Sequence, residues 1–262
     1  MIVLTGAAGF IGSCMLGKLN AEGRNNVIIV DDFSKKEKEG NYSALKYSEK
    51  IDREEFLEWF EKNAHIVECV YHLGARTDTT EFDWNVFAKL NLEYTETIWR
   101  ICAMNGIAMV YASSAATYGG GEYGYDDDLS LIPVLKPLNP YGRSKQEFDV
   151  WALKQEKKPP FWAGFKFFNV YGPNEYHKGR MASVILHSFG QINDCGKVKL
   201  FRSHREDYKD GWQMRDFVYV KDVVDVLYYM MTNKPKSDIY NLGSGKARSF
   251  HDLAAATFAA MD

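Results

Sequence analysis

Tyr141 and Lys145 stand four residues apart in "NPYGRSK", and Ser114 closes the apolar run "IAMVYASS". A helix starting at Pro140, with Asn139 as its N-cap, brings both side chains to one face. A phenol with its ordinary pKa of ~10 is a poor base at neutral pH, but the positive charge of a lysine and of an oxidised nicotinamide stabilises the phenolate. A serine hydroxyl can hydrogen-bond the oxygen on which charge develops. Together the three turn an alcohol into a hydride donor. Tyr42 and Lys46 share the spacing, so position selects the pair: only Tyr141 and Lys145 follow a strand that ends in serines.

A hydride donor needs an acceptor, and "TGAAGFIG" offers a place for one. Gly6, Gly9 and Gly12 lie between a strand and a helix, where a tight turn, close approach to a pyrophosphate and helix packing all favour a residue without Cβ. The spacing is GxxGxxG. Asp31, at the end of "VIIVD", is placed to meet the adenosine ribose, which by itself favours NAD. Lys35, Lys36, Lys38 and Arg53 follow closely, and such a cationic collar can hold an added 2′-phosphate, so the expected cofactor is NADP, with NAD as the lesser alternative. The other reading of these lysines is that they face water. "HLGA", residues 72 to 75, ends a later strand at the edge where ligands collect in open α/β sheets.

The elements that must hold these groups follow from patterning. Short apolar runs ("IVLT", "VIIVD", "IVECVYH", "IAMVYASS") alternate with segments of helical period at 10 to 22, 53 to 62, 83 to 104 and 140 to 156. That alternation predicts βαβ units and a Rossmann-type, doubly wound parallel sheet of the α/β class. Residues 1–170 are expected to form the dinucleotide-binding domain, joined by later strands from about 213–245, and residues 171–262 a smaller, interleaved substrate lobe. The loops "SKKEKEG" and "YDDDLS" read as solvated. With 26% charged residues and a net charge of -3, nothing points to a nucleic-acid partner. Cys14, Cys69, Cys102 and Cys195 are scattered, which fits neither a metal site nor a disulfide framework and makes a reducing, cytoplasmic setting the default. The opening "MIVLTG" reads as a strand and lacks the zones of a signal peptide, and no apolar run reaches the roughly 20 residues of a membrane span.

On "TGAAGFIG", "YASSAATYGG", "NPYGRSK" and "FNVYGP" the chain resembles the extended short-chain dehydrogenase/reductases that act on nucleotide sugars. "RTDTTEFD" and "HKGRMASV" are more narrowly similar to the ADP-L-glycero-D-manno-heptose 6-epimerases among them. The resemblance runs along the whole chain. It implies an NADP-dependent isomerase that inverts C6″ of ADP-heptose for the lipopolysaccharide core, in a homo-oligomer. It places Phe10, Ile11, Asp31, Asp32, Lys38, Arg53, the loop Leu73, Gly74, Ala75, Arg76 and Thr77, then Asn91, Lys145, Val170 and His177 around the cofactor. Asn169, Arg180, His187, Phe201, Arg202, Ser203, His204 and Arg215 would face the sugar nucleotide.

The family pattern also gives Lys178 a task. Inverting a carbinol means removing hydride, letting the ketone turn, and returning hydride to its other face, after which the oxygen no longer points at the first base. A second proton donor is required, and the resemblance assigns the pair to Tyr141 and Lys178. Lys178 also reads as a plain phosphate or surface lysine. His177 reads as a proton relay or as a cofactor or backbone hydrogen bond, and Arg215 as a diphosphate fork or an ion pair with Asp216 or another carboxylate. Two departures stand out: "RSHREDYKDGWQMRDF" is longer than the family's usual link, and family members continue past the point where this chain stops, so its substrate lobe is expected to be C-terminally incomplete. The rivals are another nucleotide-sugar 4-epimerase or dehydratase, the latter lacking an acid pair in "SSAAT", and a catalytically silent NADP sensor or scaffold, which would have no need of Ser114, Tyr141 and Lys145.

Overall fold

The computed structural model describes residues 1–203, 206 and 209–261. Four strands come first: β1 (Ile2–Thr5), β2 (Val27–Asp31), β3 (Glu49–Asp52) and β4 (Cys69–His72). They are joined by α1 (Phe10–Ala21) and α2 (Arg53–Asn63). Next come α3 (Trp84–Phe87), α4 (Tyr94–Asn105), β5 (Ala108–Ser114), α5 (Pro140–Lys154), β6 (Trp162–Phe167) and β7 (Asn169–Tyr171). The chain continues through α6 (Val184–Cys195), β8 (Met214–Tyr219), α7 (Val220–Asn233), β9 (Asp238–Leu242), β10 (Ala247–Ser249) and α8 (Phe250–Ala259).

Seven strands form one parallel sheet in the order β3-β2-β1-β4-β5-β6-β9. Strands β1, β2, β4 and β5 are buried throughout, as expected where helices cover both faces. Side chains alternate between two cores. Ile2 and Leu4 join Leu16 and Leu19 of α1 and Val223 and Leu227 of α7; Val3 points the other way, to Phe56 and Phe60 of α2, Trp99 of α4 and Phe148 of α5. β9 enters this sheet beside β6, whereas β8 lies in a three-stranded sheet between β10 and β7.

Three features depart from the sequence pattern. β3 and β6 belong to the sheet but were not among the apolar runs read as strands: "EKID" buries only Ile51 fully, and "WAGFKF" hides Lys166 next to its C-terminal end. The segment read as one helix over 83 to 104 is interrupted by a π-turn at Ala88–Glu93. An added residue of this kind re-aims the side chains near it.

The glycine turn rests on hard contact. Gly6 has φ +70°, and a Cβ there would lie 2.6 Å from the Gly74 nitrogen. A Cβ on Gly12 would lie 2.0 Å from the Gly6 carbonyl oxygen. Gly12→Ala should therefore push α1 away from the turn and destabilise the fold by about 1–3 kcal/mol, measured by urea denaturation. It should also weaken dinucleotide binding; wild-type stability and affinity together would refute the packing argument.

Candidate functional site

At the carboxyl ends of β1, β2 and β4 a cleft of about 640 Å³ opens beside the glycine turn. This is where the strand order reverses, the usual place for a ligand in such sheets. Its floor is Gly6, Gly9 and Gly74. α1 begins at Gly9 with no side-chain cap, so the first-turn amides of Phe10, Ile11 and Gly12, which line the cleft, are available to an anion. A floor that any Cβ would fill and an uncapped helix start fit a dinucleotide pyrophosphate.

Asp31 organises the ribose end. Its Oδ2 accepts from the Ala8 amide at 2.9 Å, and its Oδ1 accepts from its neighbour Asp32 N at 2.8 Å and from Lys38 Nζ at 2.9 Å. Arg53, at the start of α2, has Nη2 3.7 Å from Asp32 Oδ2 and Nε 3.2 Å from Glu54 Oε1. Lys35, Lys38 and Arg53 all line the cleft, as do Leu73, Ala75, Arg76 and Thr77.

Asn91, Lys145 and Val170 are not among the residues lining this cleft. Asn91, on the π-turn, is buried: its Oδ1 accepts from Arg76 N at 2.8 Å, and its Nδ2 donates to Arg76 O and to Ser144 Oγ, both at 3.0 Å. It fastens the loop after β4 to α5. Val170, on β7, is half-buried against the α1 side of the core.

Ser114 ends β5, and its Oγ accepts from the Ala116 amide at 3.1 Å. Burial pushes the Tyr141 phenol up, and the nearby Ser114 hydroxyl opposes the shift. Lys145 is buried and donates to the Ala112 carbonyl at 2.7 Å; burial brings it down to about 8, against the charge of Asp149 one turn along α5. Asn139 caps this helix by accepting from Gly142 N at 2.8 Å, with Pro140 in its first turn. The cap and the proline fix where Tyr141 and Lys145 emerge.

The second lysine is turned inward. Lys178 lines the dinucleotide cleft with its Nζ 5.3 Å from the centre of the Phe10 ring. Burial lowers its pKa, with Glu175 opposing. Two residues without a motif hold this segment. Glu175 is buried and accepts from Gly172 N at 3.1 Å and Ser183 Oγ at 2.7 Å, closing the loop on the N-cap of α6. Asn41 Nδ2 donates to Ala8 O at 3.0 Å and Asn174 O at 3.2 Å, and faces His177 Nδ1 at 3.1 Å. It ties the lysine-rich loop, the glycine turn and the loop of Lys178 together. His177 is depressed by burial and by the charges of Lys38 and Lys178.

The residues expected at the sugar are spread over the smaller lobe. Asn169 begins β7 and His187 is exposed on α6. Arg180 donates to Thr80 Oγ1 and pairs with Asp78 at 3.5 Å, so "RTDTTEFD" and "HKGRMASV" meet in space. Phe201 is exposed and edge-on to Phe250 at 5.0 Å. Arg202 is exposed, Ser203 N donates to Asp210 Oδ1 at 2.7 Å, and His204 lies outside the described residues. Arg215 lies 5.9 Å from the Phe250 ring centre, while Asp216 accepts from Ser244 and Gly245.

Comparison with known proteins gives a consistent picture. The model of the NAD dependent epimerase/dehydratase family matches residues 2–243. The chain is 52% identical over 264 residues to the ADP-L-glycero-D-manno-heptose-6-epimerase of Fusobacterium nucleatum, covering 99% of this chain and 80% of that one. Among solved structures, the Helicobacter pylori ADP-L-glycero-D-manno-heptose-6-epimerase superposes with a TM-score of 0.83 at 29% identity, over 98% of this chain and 80% of that one. MoeE5 in complex with UDP-glucose and NAD superposes at 0.74 and 26%, over 99% and 81%.

The electrostatics around Lys178 can be checked directly. Because Glu175 holds its ammonium in the charged form against burial, Glu175→Gln should let Lys178 lose its proton at lower pH than in the wild type. The pH dependence of Lys178 modification by an amine reagent, followed by mass spectrometry, reads this shift; a midpoint that stays put or rises would overturn it.

Proposed function

The chain belongs to the NAD dependent epimerase/dehydratase family, and from that premise we propose that it is an isomerase converting ADP-D-glycero-D-manno-heptose to ADP-L-glycero-D-manno-heptose by inversion at C6″. In this reading it supplies heptose for the lipopolysaccharide core from the cytoplasm, as a homo-oligomer. The observation that carries it is that two lysines on different elements are drawn away from water, Lys145 buried and Lys178 half-buried. Lys145 lies beneath the Ser114 and Tyr141 pair, and Lys178 lies on the wall of the dinucleotide cleft. A simple dehydrogenase has work for the first alone. The share of sequence held in common with heptose epimerases along the whole chain adds to the argument.

Nicotinamide dinucleotide, when bound, accepts the hydride and gives it back. The protein's own groups handle the protons. Tyr141, with Ser114 aligned on the same substrate oxygen and Lys145 beside it, takes the hydroxyl proton as the carbonyl forms. Once the side arm has turned, Lys178 protonates the oxygen from the other side. Asn169, Arg180, His187, Phe201, Arg202, Ser203, His204 and Arg215 are assigned to the sugar nucleotide, residues 1–170 to the cofactor, and residues 171–262 to the substrate lobe.

We assign NADP as the cofactor on the state of Asp31. A free carboxylate there would repel a 2′-phosphate, but this one is paired with Lys38 and holds two backbone amides, which offsets its charge, and Lys35 and Arg53 stand beside it on the cleft wall. Lys38→Gln should cut the preference for NADP over NAD about tenfold, read by fluorescence titration with each dinucleotide.

Supplying ADP-D-glycero-D-manno-heptose in heavy water and following C6″ by NMR tests the reaction. Inversion without deuterium at that carbon agrees with direct return of hydride; deuterium uptake there means enolisation and ends the proposal. Change at another carbon would favour a 4-epimerase, and binding without turnover the silent reading. Tyr141→Phe and Lys178→Met should each lower kcat by about 10²–10⁴-fold while the dinucleotide stays bound.

A further inference from the structure

Beneath Ser114 and Lys145 lies a pair of opposite charges that the proposed reaction does not use. Lys166, next to last in β6, and Asp149, on α5, are 1% and 0% exposed and lie 3.1 Å apart. Each holds more than the other. Asp149 Oδ2 accepts from Ser113 Oγ at 2.6 Å and Oδ1 from Tyr111 OH at 3.1 Å. Lys166 donates to Thr117 Oγ1 at 2.7 Å, and Thr117 donates to the Ser114 carbonyl at 2.8 Å.

A buried ion pair is a poor device for stability, because the cost of taking both charges out of water roughly cancels their attraction; apolar residues of similar size often serve as well. Its neighbours indicate another use. Three consecutive residues at the end of β5 are gripped from below: Ala112 by Lys145, Ser113 by Asp149, and Ser114 through Thr117 and Lys166. Asp149 also stands one helical turn from Lys145, on the same face.

We propose that Asp149 is a positioning residue of the epimerisation: bridging Ser113 and Lys166, its carboxylate locks the end of β5 against α5 and so holds the Ser114 hydroxyl and the Lys145 ammonium in register with the Tyr141 phenol. The proposal rests on the reaction assigned above. The titratable groups facing this cluster are His72 on β4, Tyr111 on β5, Tyr118 just after it, Lys166 on β6 and Asp238 on β9. Burial takes His72 down to about 3 and pushes both phenols up, so none of these three carries charge near neutral pH. Asp149 is the anion that opposes the effect of burial on Lys145.

Asp149→Asn leaves the Lys166 charge unpaired and can fail to fold for that reason alone. The deciding variant is therefore Asp149→Asn combined with Lys166→Met, which removes both charges. If Asp149 acts on the catalytic group, the folded double variant shows the alkaline limb of its kcat profile moved about one unit toward acid. At pH 8 its kcat falls about fivefold while KM for the sugar nucleotide stays within about threefold. A double variant with wild-type melting temperature, kcat and pH profile overturns the proposal. A second readout needs no sugar: the pH midpoint of NADP binding, followed by tryptophan fluorescence, should move acidward with the loss of Asp149. If the wild-type chain binds NADP but leaves ADP-heptose unchanged, the assigned reaction has failed, and the midpoint decides on Asp149: a shift upholds its role beside Lys145, and an unmoved midpoint removes it.

Discussion

The close backbone approach of Gly6 to Gly74, with the Gly12 turn of α1 pressed on the Gly6 carbonyl, sets the floor around which the cleft-lining groups are arranged. β1 and β4 are neighbours at the point where the strand order reverses, so the chains leaving them diverge and open a crevice. The bare glycines let the floor of that crevice sit at backbone level, and the uncapped start of α1 then comes within reach of whatever occupies it. Asp31 adds the third strand to the same junction by accepting from Ala8 within the turn. Sterics, helix dipole and carboxylate meet at one place because Gly6 and Gly74 carry no side chain into the floor.

The chemistry on either side of that floor follows a common arrangement. Lys145 is buried and Lys178 half-buried, which favours their neutral forms, and each has a buried carboxylate within about one turn to oppose the shift. Asp149 follows Lys145 by four residues; Glu175 precedes Lys178 by three. Each carboxylate also accepts hydrogen bonds that fix the surrounding backbone or side chains. Charge and position are thus set by the same group.

The parts of this arrangement legible in the sequence were those with short-range signatures. Gly6, Gly9 and Gly12 between an apolar run and a helical period, and Asn139 with Pro140 ahead of Tyr141, are local patterns whose physics lies within a few residues. β6 was hidden because its Lys166 finds its counter-charge on α5, a partner that no local pattern can reveal. Asn91 was placed around the cofactor by resemblance, and its bonds to Arg76 and Ser144 were not legible, because the one inserted residue of the π-turn leaves the apolar period almost unchanged. Asn41 directly follows the lysine-rich loop that read as solvated, and Glu175 lies between two motifs without belonging to either; their partners lie far along the chain or across a turn of it.

β6 and β9 are hydrogen-bonded neighbours, yet residues 168 to 237 intervene between them, and that long excursion carries α6, α7, β7 and β8. During synthesis the six earlier strands can assemble while the outer border of β6 still has no strand beside it. A nascent or shortened polypeptide that ends before Asp238 thus exposes a parallel sheet margin, a template for association between molecules. Arrival of "DIYNL" seals that margin and stitches the far end of the excursion back to where it left.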